Sequence, residues 1–120
     1  GRKKEMIREE LHAHLQEAFS TQNIASEYGM TELLSQAYSK ENGLFTCPPW
    51  MKILLRDPAD PLCVSENRTA GVVNIIDLAN IESCAFIQTQ DMAKQHPNAC
   101  FEIIGRTDNS DVRGCNLMVL

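Results

Sequence analysis

Three short motifs in the 120-residue sequence each combine a hydroxyl with a carboxylate side chain, and two of them also contain glycine. They are Tyr28-Gly29-Met30-Thr31-Glu32, Thr89-Gln90-Asp91 and Gly105-Arg106-Thr107-Asp108. A hydroxyl and a carboxylate beside a glycine turn can meet a phosphate and its magnesium. A second carboxylate can accept bonds from ribose hydroxyls, and an arginine can pair with phosphate or sugar oxygens. The three motifs together therefore predict a nucleotide site.

The first motif taken alone is equally typical of a strand, a turn and a helix cap with nothing bound. Each of the three motifs is predicted to follow a β-strand. In an α/β unit, ligands gather at the carboxyl ends of the strands. We therefore expect Glu32, Asp91 and Arg106 to converge in space.

The N-terminal part of the sequence predicts one helix and one strand. From Lys3 to Ser20 the apolar residues recur at helical spacing, and polar residues occupy the other faces. A short strand from Asn23 to Tyr28 follows. Residues 31–38 are predicted to form a helical turn with Thr31 as its cap, or alternatively an active-site loop.

After a turn signal at residues 41–43 the sequence becomes β-rich. Strands are predicted at residues 51–56, 71–78, 83–89 and 100–104, and residues 117–120 are also apolar and β-prone. The predicted fold class is α+β. A helix, a strand and the Tyr-Gly-x-Thr-Glu loop in residues 1–45 would belong to an α/β layer, and residues 46–120 would form a β-rich, barrel-like subdomain.

Composition excludes several classes of protein. The net charge of −5 argues against a surface that follows a nucleic-acid backbone. No apolar run reaches the roughly 18 residues of a membrane span, and no signal peptide is recognisable. The five cysteines include no Cys-x-x-Cys pair, so they indicate neither a disulfide framework nor a zinc site, and they predict a reduced, cytoplasmic setting.

In order and separation, the three motifs resemble those of the adenylate-forming superfamily, whose members use ATP to convert carboxylic acids into acyl-adenylates. The resemblance implies ATP or AMP and Mg²⁺ as cofactors. The implied roles, in chain order, are contact with adenine by Tyr28, a place in the nucleotide loop for Gly29, contact with the α-phosphate by Thr31, magnesium binding by Glu32, ribose binding by Asp91, contact with ribose or phosphate by Arg106, and a hinge at Asp108.

Residues 105–117 look like the C-terminal region of acyl-protein synthetases of the bacterial luminescence type. Those enzymes pass the acyl group to one of their own cysteines, and Cys115 matches that position. A thiolate is a strong nucleophile, and a thioester stays reactive enough to hand the acyl group on. The resemblance therefore implies that Cys115 is the acyl acceptor. The other four cysteines are predicted to be structural and buried.

The sequence departs from the superfamily pattern in two of these motifs. Gln90 stands where the family usually has glycine, and Val112 stands where a lysine is common. The second change is shared in kind with the acyl-protein branch. A Ser/Thr/Gly-rich phosphate loop and a C-terminal domain with a catalytic lysine are both missing. The chain is therefore expected to be the last third of a larger enzyme, and inactive alone.

Two alternatives stay open, a coenzyme A ligase and a structural or interaction module without nucleotide affinity. The expected partners are a carboxylic acid, for example a fatty acid, and either an acceptor protein or coenzyme A. Strands made to pair with a missing part would leave open edges, which predicts a homodimer of the isolated chain.

Overall fold

A computed structural model describes residue 6, residues 8–40 and residues 42–107. Within them the elements, in chain order, are α1 (Arg8–Phe19), β1 (Ser26–Tyr28), β2 (Ala37–Ser39), β3 (Phe45–Thr46), β4 (Met51–Arg56), β5 (Val64–Ser65), β6 (Ala70–Asp77), a 3-10 helix (Leu78–Asn80), β7 (Phe86–Gln95) and β8 (Cys100–Arg106). The strands form one antiparallel sheet in the order β1-β2-β3-β8-β7-β6-β4-β5.

The alternation of apolar residues in the central strands decides which face of the sheet is buried. Met51, Ile53 and Leu55 of β4 are buried, while the residues between them are more exposed. In the paired strand β6, Ile75 lies directly opposite Ile53. Successive side chains of a strand point to opposite faces, so these apolar sets share one face. The core cluster on that face is Tyr28, Leu33, Ala37, Phe45, Met51, Ile53, Leu55, Val73, Ile75, Ala93, Phe101 and Ile103.

Helix α1 confirms the predicted helix over the residues that the structure describes. None of its residues is buried. It is joined to β1 by a hydrogen bond of 2.9 Å between His12 Nε2 and Ser26 Oγ. The turn signal after β2 is also confirmed, because Asn42 and Gly43 have φ angles of 56° and 64°, in the left-handed region that asparagine and glycine tolerate.

The predicted α/β layer and barrel-like closure are not confirmed. Strand β1 pairs antiparallel with β2 in the same sheet as the other described strands, and the sheet ends at two unjoined strands, β1 and β5. The segment between β1 and β2 is shorter than the dozen or so residues that a parallel crossover needs, so the chain can only turn back. The described part is therefore an open antiparallel sheet with one helix.

The strands predicted at residues 51–56, 71–78 and 100–104 are confirmed, with small shifts of their ends. The helical turn predicted at residues 31–38 is wrong. The backbone N–H groups of Leu34 and Ser35 donate to Asp77, more than 40 residues away, and the chain then enters β2. These long-range bonds override the local helix-cap signal.

The prediction that the cysteines are buried is wrong for two of them. Cys63 and Cys84 are exposed, and Cys47 and Cys100 are half-buried. Cys63 and Cys84 lie in turns that precede β5 and β7, where the chain faces water. The structure describes no helix that is both long enough and apolar enough to cross a membrane.

Candidate functional site

The centre of the candidate site is the carboxylate of Asp91, which β7 places directly opposite Arg106 of β8. Arg106 Nη1 donates to Asp91 Oδ1 at 3.0 Å, and the Tyr28 hydroxyl donates to Asp91 Oδ2 at 2.8 Å. The Asp91 side chain is 3% exposed and that of Arg106 is 32% exposed. One residue from each of the three sequence motifs therefore meets at this point.

The pairing of β7 with both of its neighbours is irregular near Asp91. The register shifts on the β6 side between Val72 and Asn74, and on the β8 side after Met92. Thr89 Oγ1 donates to the carbonyl of Val73 at 2.9 Å and accepts from the Asp91 amide at 3.1 Å. The expectation that this motif follows a strand is therefore wrong. It lies inside β7, where Thr89 and Asp91 alternate with exposed residues and both face the core.

Tyr28 supports Asp91 from within the core. Its ring is fully buried and packs against Phe45 and Phe101, at centroid distances of 6.0 and 5.6 Å. Burial, together with the negative charge of Asp91, raises the pKa of Tyr28, so the hydroxyl is a neutral donor. No face of the ring is open to adenine in this structure, and the adenine contact stays a prediction.

Thr31 and Glu32 lie on an exposed loop that leaves β1 directly after Tyr28. The four residue steps from Tyr28 to Glu32 limit their Cα separation to about 14 Å. Gly29 does not adopt the left-handed backbone that the turn prediction requires. A Cβ there would meet the flexible side chain of Gln36 at 3.0 Å, so glycine provides space at this position.

Asp77, at the end of β6, fixes this loop by accepting hydrogen bonds from its backbone. This residue was not identified from the sequence. Its carboxylate accepts bonds from the Leu34 amide at 3.0 Å, the Ser35 amide at 2.9 Å, the Ser35 hydroxyl at 2.6 Å and the Ala79 amide at 3.1 Å. Asp77 is fully buried. Burial favours a higher pKa, but the bonds from Ser35 and the neighbouring amides outweigh it and hold the pKa of Asp77 below its ordinary value. The sequence signal for this role is one aspartate at the end of a mostly apolar strand.

Two further side chains complete the attachment of the loop. Asn80 Nδ2 donates to the carbonyl of Glu32 at 2.9 Å and to that of Cys84 at 3.1 Å. Trp50 Nε1 donates to Ser35 Oγ at 3.0 Å. The loop is thus held through its backbone and Ser35, and the side chains of Thr31 and Glu32 stay exposed.

The structure divides the sequence-predicted residues into three groups. Tyr28, Asp91 and Arg106 are in contact, and Thr31 and Glu32 lie on the adjoining loop. Asp108 and Cys115 lie outside the described residues, so their predicted roles stay predictions.

Among the described residues, no group of three or more His, Cys, Asp or Glu side chains could hold a metal ion. Mg²⁺ at nucleotide sites is bound by one or two carboxylates together with phosphate oxygens. A single exposed carboxylate such as Glu32 fits that pattern. A metal site built from protein ligands alone is a different kind of site.

A partly open cavity of about 300 Å³ lies on another part of the sheet, beside Cys47 and Cys100. None of the sequence-predicted site residues lines it. Burial raises the pKa of the Cys47 thiol to about 11, which leaves little thiolate at neutral pH.

Comparisons with known proteins locate this fold within larger enzymes. No family model matches the sequence, and the comparison with curated proteins gives no match. The fold is similar to part of the luciferase-like enzyme from the nonluminescent mealworm Zophobas morio, with a TM-score of 0.58 and 18% identity over 84% of this chain and 29% of that one. It is also similar to part of a benzoate CoA ligase from Burkholderia xenovorans LB400, with a TM-score of 0.52 and 24% identity over 82% of this chain and 24% of that one.

The chain therefore spans less than a third of the length of either enzyme. At 18% and 24% identity, the two matches show a similarity of fold alone. They do not distinguish the acyl-protein synthetase branch from the coenzyme A ligases.

Proposed function

We propose that this chain forms one wall of the ATP site of a longer, acyl-activating enzyme. The observation that carries the proposal is the buried carboxylate of Asp91, to which Tyr28 and Arg106 both donate hydrogen bonds. The exposed loop that contains Thr31 and Glu32 begins directly after Tyr28. In the proposed reaction the substrate carboxylate attacks the α-phosphorus of ATP. An acyl-adenylate forms and pyrophosphate leaves.

Asp91 and Arg106 are proposed to exchange partners when the nucleotide binds. A carboxylate has about four acceptor sites, and Tyr28 and Arg106 occupy two of those on Asp91. Because the Asp91 side chain is almost fully buried, a ribose hydroxyl reaches it by displacing Arg106 from Oδ1. The released guanidinium, already one-third exposed, then pairs with phosphate or sugar oxygens.

The exposed loop is proposed to contact the phosphates. The Thr31 hydroxyl would donate to the α-phosphate, and the Glu32 carboxylate would bind Mg²⁺ together with phosphate oxygens. Bound magnesium would neutralise part of the triphosphate charge. Tyr28 acts as a positioning residue in this proposal, since its hydroxyl holds Asp91 from the core side.

The acyl group is proposed to pass from the adenylate to the Cys115 thiol. The sulfur attacks the acyl carbonyl, AMP leaves, and the thiol proton goes to solvent or a nearby base. The second candidate is transfer to coenzyme A, the acceptor named for one of the two structural neighbours, a benzoate CoA ligase. Cys115 would then have no role in the transfer.

The first experiment is carboxylate-dependent exchange of labelled pyrophosphate into ATP, catalysed by the full-length protein. Exchange that requires an added carboxylic acid supports adenylate formation. The second experiment incubates the protein with labelled acid and ATP and then denatures it. Label retained by the wild type and lost in Cys115→Ser supports the acyl-protein branch, whereas free acyl-coenzyme A supports the ligase. Failure of both exchange and ATP binding would favour a structural or interaction module.

A further inference from the structure

Asp77 connects three segments of the chain at one buried point. Both of its carboxylate oxygens are used, because Oδ2 accepts from Leu34 and Ser35, and Oδ1 accepts from the Ser35 hydroxyl and Ala79. Ser35 in turn accepts from Trp50, whose carbonyl accepts from the Leu78 amide. The four hydrogen bonds therefore fix the position of the Asp77 carboxylate and of the groups that donate to it.

The restraint falls on the residues that directly follow Thr31 and Glu32. Asp77 holds the second and third residues after Glu32, and Asn80 holds the Glu32 carbonyl itself. These bonds fix the backbone and leave the two side chains exposed. A phosphate or metal ligand held in advance loses less conformational entropy when its partner binds.

We propose that Asp77 is a positioning residue that holds Thr31 and Glu32 in the geometry needed to bind the magnesium-coordinated phosphates of ATP. The inference rests on the proposed function and adds to it a residue that touches neither nucleotide nor metal. Ser35 transmits part of the effect, because its hydroxyl and amide both bond to Asp77.

Asp57 provides a matched control. It is also an aspartate directly after a strand, β4, and it also closes its own turn by accepting from the Ala59 amide. It pairs with Arg68 and has no bond to residues 31–35 among the described hydrogen bonds. Because the Asp57 side chain is 33% exposed and Asp77 is fully buried, Asp57→Asn controls for the loss of a charged, turn-closing carboxylate, and the melting temperature reports the effect of burial separately.

The test is calorimetric titration of the full-length protein with ATP, with and without Mg²⁺. The quantity compared is the factor by which Mg²⁺ strengthens ATP binding. Asp77→Asn turns an amide N–H₂ toward groups that are themselves donors, so we expect this factor to fall at least about tenfold. Ser35→Ala removes one of the four bonds and should give an intermediate loss. Asp57→Asn should leave the factor unchanged.

A purely structural role would lower the melting temperature of Asp77→Asn and leave the magnesium factor equal to that of the wild type, which would overturn the inference. If Asp77→Asn does not fold, an unchanged magnesium factor in a folded Ser35→Ala variant would overturn it as well. Absence of ATP binding by the wild type itself would instead overturn the proposed function. If the wild type binds ATP and the variants keep its magnesium factor, the role of Asp77 would be overturned and the proposed function would stand.

Discussion

The bond between the Tyr28 hydroxyl and Asp91 makes a sharp prediction about stability. Tyr28→Phe keeps the ring, and with it the packing against Phe45 and Phe101, but removes one donor from a buried carboxylate. Hydrogen bonds to charged groups contribute about 1.5–3 kcal/mol, and Asp91 Oδ2 stays buried without the Tyr28 donor while Arg106 remains bound to Oδ1. We expect Tyr28→Phe to lower the free energy of unfolding by about 2 kcal/mol.

The assay is urea unfolding of the 120-residue chain, followed by circular dichroism and by the fluorescence of Trp50. With a urea dependence of about 2 kcal/mol per molar, the midpoint should fall by about 1 M. Tyr38→Phe is the matched control, since Tyr38 is 52% exposed on the neighbouring strand β2. Its effect should stay within about 0.5 kcal/mol of the wild type.

A double-mutant cycle separates this bond from other effects of the substitution. In an Asp91→Asn background the acceptor is neutral, so removing the Tyr28 hydroxyl should cost about 1 kcal/mol less than in the wild type. Additive effects of the two substitutions, or a Tyr28→Phe variant as stable as Tyr38→Phe, would refute a charged, buried bond at this position.

Three further predictions concern Asp77, Cys47 and Arg106. The pKa of Asp77 is lower in the folded state than in the unfolded chain, so its contribution to stability is present above about pH 4 and is lost as the pH falls through the folded-state value. The difference in unfolding free energy between wild type and Asp77→Asn should therefore shrink below about pH 4, and a constant difference would contradict the depressed pKa. At pH 8 a thiol of pKa about 11 carries roughly two hundredfold less thiolate than an ordinary thiol. Mass spectrometry should therefore find Cys47 alkylated far more slowly than the exposed Cys63, and equal rates would contradict the burial of the Cys47 thiol. Arg106→Gln should weaken ATP binding by the full-length protein at least about tenfold in calorimetry, because it removes the cation proposed to move to the nucleotide. An Arg106→Gln variant that binds ATP as tightly as the wild type would contradict the partner exchange.

The sequence was sufficient to predict β4, β6 and β8, but the strand predicted at residues 83–89 matches only the first part of β7 (Phe86–Gln95). In β4 the alternation of Met51, Ile53 and Leu55 leaves only one way to face the core, and β6 was predicted from its Val-Val and Ile-Ile content. The helix α1 was readable for the same reason, from apolar residues at helical spacing. These are local signals, and they extend over enough residues to be decisive.

The loop of Thr31 and Glu32 shows where local reading fails. Its conformation is set by Asp77 and Asn80, more than 40 residues further along the chain, and no spacing within residues 31–38 carries that information. A hydroxyl followed by apolar residues is a fair helix-cap signal. Here the buried carboxylate supplied stronger partners for the same amides.

The site was predictable as a set of residues but not as a geometry. Tyr28, Asp91 and Arg106 were all singled out, and they are in contact. Their arrangement depends on the shifted register between β7 and β8, which sets Arg106 opposite Asp91, and on the burial of Tyr28, whose hydroxyl supports Asp91 from the core side. Asp77 escaped notice because a single aspartate at a strand end is more often part of a turn.

The most direct test of the central claim is calorimetric titration of the full-length protein with ATP and Mg²⁺, comparing the wild type with Glu32→Ala and with Glu27→Ala. Glu27 is an exposed carboxylate five residues earlier on β1, so its loss changes the net charge equally. We predict binding by the wild type, unchanged affinity in Glu27→Ala and at least about tenfold weaker binding in Glu32→Ala. Absence of binding in all three proteins, or equal binding by all three, would contradict a nucleotide site at this loop.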